Sequence, residues 1–458
     1  MLVSFLIYAI LNTMNNSPNT NVVTRMAPSP TGNFHIGGVR TALYNYLFAR
    51  HHGGTFIVRS EDTDKERSKP EHEEAMLGVF TWLGLEFDDF YRQSERTEIY
   101  TAHIQKMLDA GTAYEAEDNK DNTGKVIRFK NSNTTVTFND LILGEISVDT
   151  EDLGDFVIAR DIKNPLYHLT VVVDDGLMGI THVLRGQEHV NNTPRQIVLL
   201  EALGFERPQY AHIPLIMSPR GGKLSKRDPE VIPTLDYSEQ GILPESLINF
   251  LALIGWNPGT EQEIFSKEEL INQFDISKVQ KGGATFNVEK LDWVNKEWLN
   301  KLSDVDFKTY LGNLWSELTD RIPAEAENVL LYEVRERIHK RDDLKAFISE
   351  GSFDYLNETI TYEPSKLVWK KGTVEDAMTN LSHVAELIKD IEQWNIDNVK
   401  SLIWPYAEEQ GKGDVLWPLR YALSGQDRSP DPFTVAVLIG KTKTKERIMH
   451  AIKLLHSA

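Results

Sequence analysis

VVTRMAPSPTGNFHIGGVRTALYNYLFARHHGGTFIVRS, residues 22–60, decides the fold. It opens with VVTRMA, a short strand candidate. PSPTGNFHIGG, residues 28–38, then packs two prolines, three glycines, a histidine and two hydroxyls into one loop. A helical pattern follows at once. Val39, Leu43, Tyr46 and Leu47 fall at i, i+4, i+7 and i+8, on one face, with Arg50 at i+11. Gly53 and Gly54 end the helix, and TFIVRS, residues 55–60, is the next strand. Strand, loop, helix and strand in that order make a βαβ unit, the beginning of a parallel sheet.

The loop asks for more than a turn. A helix N-terminus offers unpaired backbone N–H groups and the positive end of a dipole. Glycines let an anion come close, and His35 can donate to a phosphate oxygen. The loop therefore suits the phosphates of ATP at the C-terminal end of the first strand, where open α/β sheets bind ligands. It has neither Walker A nor G-x-G-x-x-G spacing. A second stretch, SPRGGKLSKRD, residues 218–228, sets Lys223, Lys226 and Arg227 around Ser225 in a glycine-led loop. Flexible cations of this kind stabilise charge on a transferring phosphoryl group. Taken singly, the first stretch could be a glycine turn and the second a basic surface loop.

Composition sets bounds. A chain of 458 residues with 41% apolar residues holds more than one domain. The absence of cysteine excludes disulfides, a thiolate nucleophile and thiolate-bound zinc, and fits a reducing cytosol. A net charge of -19 argues against non-specific coating of nucleic acid, though a local basic stripe could still bind RNA. Residues 2–11 are almost all apolar, with no Lys or Arg before Arg25. That is neither a signal peptide nor a span, and it reads as a disordered extension, residues 1–21, or as a start placed ahead of Met14.

Further along, Ser68 with Glu71 reads as a capping box, with Pro70 in the first helical turn. Residues 97–111 form another helix, and residues 115–125 are polar and loop-like. VIRFK and TVTF alternate as strands do. DFVIARD and LTVVVDD, apolar and β-branched, are also read as strands. TPRQIVLLEALGF is a helix that Thr193 would cap. From about residue 243, beginning with LPESLINFLALIGW, helix follows helix with polar connections.

Together the two loops carry a resemblance. PSPTGNFHIGG and GGKLSKR resemble the two signature sequences of the class I aminoacyl-tRNA synthetases, with Gly38 in place of the last histidine of the first and Leu224 and Arg227 varying the second. The variants are similar to the glutamyl branch of that family. TRMAPSPTGNFHIGGVRTALYNYLFARHHGGTFIVRSEDTD, YHLTVVVDDGLMGITHVLRGQEHVNNTPRQ and KLSKRD extend the likeness over most of residues 22–300, and LRYALSG, residues 419–425, adds a segment near the C-terminus.

The resemblance implies a Rossmann-like α/β catalytic domain with a parallel sheet and a short α/β insertion, followed by an all-α anticodon-binding region. Its boundaries would be 22–114 and 151–218 for the two halves of the catalytic domain and 115–150 for the acceptor-binding insertion. The KLSKR loop and stem-contact helices would occupy 219–305, and the anticodon-binding domain 306–458. It implies activation of glutamate by ATP, with Mg2+ as Mg-ATP, to glutamyl-adenylate, and transfer to the terminal adenosine of glutamate tRNA. His35, Lys226 and Lys223 would be catalytic. His35, Gly37, Gly38, Glu188, Lys223, Ser225 and Lys226 would hold ATP. Glu61 would take the glutamate ammonium and Arg25 and Arg185 its side-chain carboxylate, with Ala27, Ser29 and Tyr167 completing the pocket. A guanidinium fork bonds a carboxylate bidentately, and glutamine would leave that cation unpaired.

Many relatives carry a zinc module in the insertion. Here the segment between Tyr114 and Ile127 is short and holds neither cysteine nor histidine, so no zinc is expected. Cations at Arg335, Arg337, Lys340 and Arg341, and in KTKTKER, residues 441–447, suit tRNA phosphates, and Trp369 suits an unpaired base. Each could equally be a solvated helix face. A cytoplasmic monomer, off the membrane, is expected. Two alternatives stand: an enzyme that also charges glutamine tRNA, and one that glutamylates queuosine on tRNA. The second shares the catalytic half without the anticodon domain, so the helical region after residue 306 counts against it.

Overall fold

A computed structural model describes residues 21–117, 124–224, 228, 232–370 and 372–457. The expected extension, apart from residue 21, and Ser225, Lys226 and Arg227 lie outside the described residues. The chain divides into two compact units. One holds the chain through Glu239 together with Leu243–Val294, the other Gln240–Ile242 and everything from Asn295 onward.

The first unit is built on the opening βαβ motif. β1 (Val23–Met26) leads into α1 (Ile36–His51), which leads into β2 (Thr55–Ser60). β2 lies parallel to β1, Arg25 opposite Ile57, and β3 (Asp89–Arg92) lies parallel to β2. α1 is buried on nearly every side from Val39 to Ala49, and its buried polar groups, Arg40 and Asn45, are spent on carbonyls of other segments and of the helix itself. α2 (Pro70–Leu83) and α3 (Thr97–Asp109) follow. The expected capping box is absent. Lys69 is the N-cap, with no side-chain cap bond. The N–H of Ser68 is held by the Asp64 carbonyl and that of Lys69 by the Pro30 carbonyl, so the helix starts one residue later, at Pro70.

Next come β4 (Ala113–Glu117), β5 (Lys125–Phe129), β6 (Thr135–Asp140), β7 (Gly144–Asp149), β8 (Phe156–Asp161) and β9 (Asn164–Pro165). The loop read over residues 115–125 is shorter than expected, because β4 continues to Glu117 and pairs with β5. The order β4-β5-β8-β9 makes an antiparallel sheet, while β6 and β7 form a hairpin that joins β10 (His182–Gly186) and β11 (Gln209–Ile213). LTVVVDD is not a strand. It lies in α4 (Tyr167–Leu177), with every residue from Leu169 to Asp175 buried. A short apolar run does not separate a buried strand from a helix buried on all sides, and the core overrides the β-branched preference here. Thr193 begins α5 (Thr193–Leu203) as its first residue; Asn192 is the N-cap.

β10 pairs in parallel with β11, Arg185 opposite His212. Beside β1, Thr181 just before β10 donates its N–H to the Val23 carbonyl at 3.0 Å, and its hydroxyl accepts from the Val23 N–H at 2.8 Å. The parallel strands thus run 3-2-1-10-11. The order in which strands are added to the sheet reverses between β1 and β10, and the crevice beyond the carboxyl ends of those two strands is where such sheets bind ligands.

The second unit is helical throughout its described residues. Four of its helices start on strong caps: Ser303, Thr373 with Asp376 in a capping box, Asn395, and Asp431 before Pro432. Leu330, Val334, Leu381, Val384, Val435 and Ile448 are among its fully buried residues. Arg447 is buried with them, donating to the carbonyls of Tyr355, Leu423 and Asn357.

Candidate active site

A cleft of about 600 Å³ opens at the carboxyl ends of β1 and β10. Every described residue that the sequence assigns to ATP or glutamate lines it: Arg25, Ala27, Ser29, His35, Gly37, Gly38, Glu61, Tyr167, Arg185, Glu188 and Lys223. Its two ends differ. Arg25, Glu61 and Arg185 are buried, whereas His35, Glu188 and Lys223 are exposed.

The exposed end is shaped by the first loop. Its prolines anchor it through their carbonyls, Pro28 accepting from the Glu61 N–H at 2.9 Å and Pro30 from that of Lys69 at 3.1 Å. His35 is the N-cap of α1, and its Nδ1 accepts the Gly37 N–H at 3.1 Å. A neutral ring whose Nδ1 accepts carries its proton on Nε2, so the outer edge of His35 is a donor. Gly38 has its own reason to be small: a Cβ there would meet the Phe34 ring at 2.7 Å. Phe34 stacks on Phe80 with ring centroids 5.8 Å apart, so that ring is not readily displaced. Across the cleft, Lys223 stands 3.5 Å from Glu188, both more than two-fifths exposed. Lys223 follows a turn in which Gly221 and Gly222 take φ of +91° and +78°, a backbone region that favours glycine.

The buried end is a charge network. Asp175 on α4 receives Arg25 Nε at 3.2 Å and Arg59 Nη1 at 2.7 Å. Asp174 beside it accepts from Arg96 at 2.7 Å, Tyr100 at 2.7 Å and Gln93 at 2.9 Å. Glu61 accepts from Arg59 Nη2 at 3.2 Å. Three carboxylates thus meet three guanidiniums. Burial raises the Asp175 pKa, but Arg25 and Arg59 outweigh it and hold the group below its ordinary value. For Glu61 burial wins over Arg59 and Arg25, and its pKa is pushed up to about 6.

Arg185 is the exception. Its Nη1 donates to Gln196 Oε1 at 2.7 Å, its Nη2 to Thr193 Oγ1 at 2.7 Å and its Nε to His212 Nε2 at 3.3 Å. Among the described residues no carboxylate pairs with it. Burial lowers its pKa, yet a guanidinium stays charged. It is a buried cation facing the cleft with only neutral acceptors. Around it, burial together with the Arg185 charge lowers the pKa of His189 to about 4, so that ring is neutral near pH 7. Tyr167 OH lies 3.3 Å from His189 Nδ1.

Sequence reasoning missed Arg59, Asp174, Asp175, Asp140 and His212. Two acids ending an apolar run, VVVDD, were a legible signal of buried charge, obscured by reading the run as a strand. Arg40 was missed as well. It lines the cleft from α1 and donates to the carbonyls of Ile254 and Pro214.

The family description "tRNA synthetases class I (E and Q), catalytic domain" matches residues 21–125 and 118–293. The chain belongs to this family. A second description, "Anticodon binding domain", matches residues 286–452, across most of the helical unit of this synthetase. Among its relatives, the glutamate–tRNA ligase of Aquifex aeolicus is 38% identical, over 95% of this chain and all of its own. That of Bacillus subtilis is 36% identical, over 93% of this chain and 99% of its own. The crystal structure of a glutamate tRNA ligase from Elizabethkingia meningosepticum, in complex with its amino acid, matches this synthetase with a TM-score of 0.85. It shares 32% identity, covering 94% of this chain and 99% of that one.

The residues expected to meet tRNA are spread through the second unit. Arg335 donates to the carbonyls of Leu299 and Leu302 and pairs with Asp304 at 2.9 Å, which ties helix Glu327–Arg337 to its neighbours. Arg337 lies over the rings of Phe347 and Phe353, at 4.9 and 5.0 Å. Lys340 and Arg341 are half-buried at the start of helix Arg341–Ser349. Trp369 is half-buried against Trp417, ring centroids 5.0 Å apart, with Lys370 over its face at 4.4 Å.

Proposed function

We propose that the chain is a glutamate–tRNA ligase, joining L-glutamate to ATP as glutamyl-adenylate and passing the glutamyl group to the terminal adenosine of glutamate tRNA. The observation that carries this reading is the buried, acid-free guanidinium of Arg185 in a cleft that also holds His35 and Lys223. Glu61 receives the substrate ammonium. Arg185, with Arg25, receives the side-chain carboxylate, while Ala27, Ser29 and Tyr167 close the pocket. A substrate with a neutral side chain would leave Arg185 unpaired, so the site prefers glutamate to glutamine.

The α-carboxylate of glutamate is the nucleophile. It forms a bond to the α-phosphorus of ATP as the bond to pyrophosphate breaks. A ribose hydroxyl of the terminal adenosine then attacks the glutamyl carbonyl, and AMP leaves. No side chain is acylated. The protein positions both reactants and stabilises developing charge. His35 Nε2–H, Gly37 and Gly38 face the nucleotide, Glu188 lies toward the adenosine, and Lys223 and Lys226 draw charge off the leaving phosphates, with Ser225 between them. Mg2+ would enter on ATP; of the described acids lining the cleft, Glu61 is bonded to Arg59 and Glu188 to Lys223. Lys340, Arg341 and Trp369, with Arg335 and Arg337, belong to the tRNA face of the helical unit. The enzyme acts as a monomer in the cytoplasm, a setting that the absence of cysteine fits.

The test is charging of purified glutamate tRNA with labelled glutamate and ATP. Label on the tRNA 3′ end, with one AMP formed per glutamyl group, is expected. No charging of the glutamate or glutamine tRNA would overturn the reading.

A further inference from the structure

The acid nearest to Arg185 along its hydrogen bonds is one imidazole away. Asp140 ends β6 and is the residue at which that strand meets β11, opposite Tyr210. Its carboxylate is buried and takes the N–H groups of Ile142 at 3.0 Å, Leu143 at 2.8 Å and His212 at 3.1 Å. It also receives His212 Nδ1 at 2.6 Å. A carboxylate so held accepts only, so Nδ1 carries the ring proton and Nε2 is left as an acceptor. That Nε2 lies 3.3 Å from Arg185 Nε and 3.0 Å from Thr193 Oγ1. His212 is fully buried, and burial keeps its ring neutral despite Asp140. Asp140, His212 and Arg185 therefore form a directed chain, acceptor to donor at each link.

The order matters. An acid placed directly on Arg185 would neutralise it and compete with a substrate carboxylate. A neutral acceptor orients the guanidinium without cancelling its charge. Nε is occupied by His212, and Gln196 and Thr193 each take one N–H of Nη1 and Nη2. By donor count among the described residues, one N–H on each Nη is then left over, a pair that can serve as a fork on a carboxylate.

We infer that Asp140 and His212 are positioning residues that hold Arg185 as a charged, correctly turned fork and so set the enzyme's affinity for glutamate. This rests on the reading of Arg185 as the carboxylate partner. It also gives β6, within the stretch assigned by sequence to the acceptor-binding insertion, a part in the amino acid site.

Asp140→Asn tests it with almost no change of shape. An amide turned to donate to Nδ1 reverses the ring tautomer, and Nε2–H then opposes Arg185 Nε–H. In steady-state charging, KM for glutamate is expected to rise roughly 10- to 100-fold, the cost of a misplaced binding group. KM for ATP and kcat stay within about twofold. His212→Gln, which can restore an acceptor, should fall between the wild type and His212→Phe, which cannot. Unchanged glutamate KM in a folded Asp140→Asn variant overturns the inference. If that variant does not fold, equal glutamate KM in His212→Gln and His212→Phe overturns it, and the graded order supports it. Arg185→Ala separates the two claims: if it leaves glutamate KM unchanged, the pocket assignment fails, and if it alone raises KM, only the positioning role of Asp140 and His212 fails.

Discussion

Arginines of the two units are held by three kinds of partner. In the catalytic unit, Arg25 and Arg59 end on Asp175, Arg40 on the carbonyls of Ile254 and Pro214, and Arg185 on Gln196, Thr193 and His212. In the helical unit, Arg447 ends on three backbone carbonyls, and Arg335 on two carbonyls and Asp304. A guanidinium spent on carbonyls ties separate chain segments together. One matched by acids is fixed in the wall of a site with its charge partly balanced. One held by neutral side chains keeps its charge for something that binds. The partner set, rather than the presence of a cation, separates scaffold from site.

The largest expected effect tests the third class. Arg185→Ala should lower kcat/KM for glutamate by about 10⁴-fold in charging assays, the scale on which a missing polar partner is rejected, with Tm nearly unchanged. A loss of stability with normal glutamate KM would move Arg185 into the scaffold. Next is the acid-matched class. Asp175→Asn leaves Arg25 and Arg59 short of a counter-charge, and denaturant unfolding should show a loss of about 3–5 kcal/mol. A stability change under 1 kcal/mol would show that water or Glu61 compensates, and would remove the basis for that class.

The carbonyl class should give less. Arg447→Met keeps apolar bulk but abandons three carbonyls, and should cost about 1–3 kcal/mol. Charging rates at temperatures well below Tm should be unchanged. A fall in tRNA affinity without a fall in stability would instead make Arg447 part of the RNA face. The smallest effect is in pH. Glu61, raised to about 6 by burial, takes up a proton as pH falls through that value and loses its attraction for an ammonium. Below it, kcat/KM for glutamate should fall toward tenfold per pH unit. In Glu61→Gln that acid limb should vanish from a lower baseline. A limb that persists in Glu61→Gln belongs to another group.

What was legible in sequence follows the same division. Residues 22–60 yielded strand, loop, helix and strand with β2 at its observed limits, because glycines, prolines and helical periodicity are local signals. Glu61 sits one residue past β2, and Arg25 within β1, so both were within reach of that reading. Asp175 and His212 were not, since each acts on a residue far along the chain, Arg25 and Arg185 respectively, and only the sheet brings them together. LTVVVDD misled because burial on all sides erases helical periodicity. The cation stripe RERIHKRDDLK was visible as charge, but its carbonyl partners across the helical unit were not.

The most direct measurement of the central claim is parallel charging of glutamate tRNA with labelled glutamate and labelled glutamine, each from low to saturating concentration. kcat/KM should be higher for glutamate by about 10⁴-fold or more, a preference that collapses in Arg185→Ala mainly through loss of glutamate use. Comparable charging with both amino acids, or wild-type preference retained in Arg185→Ala, would contradict it.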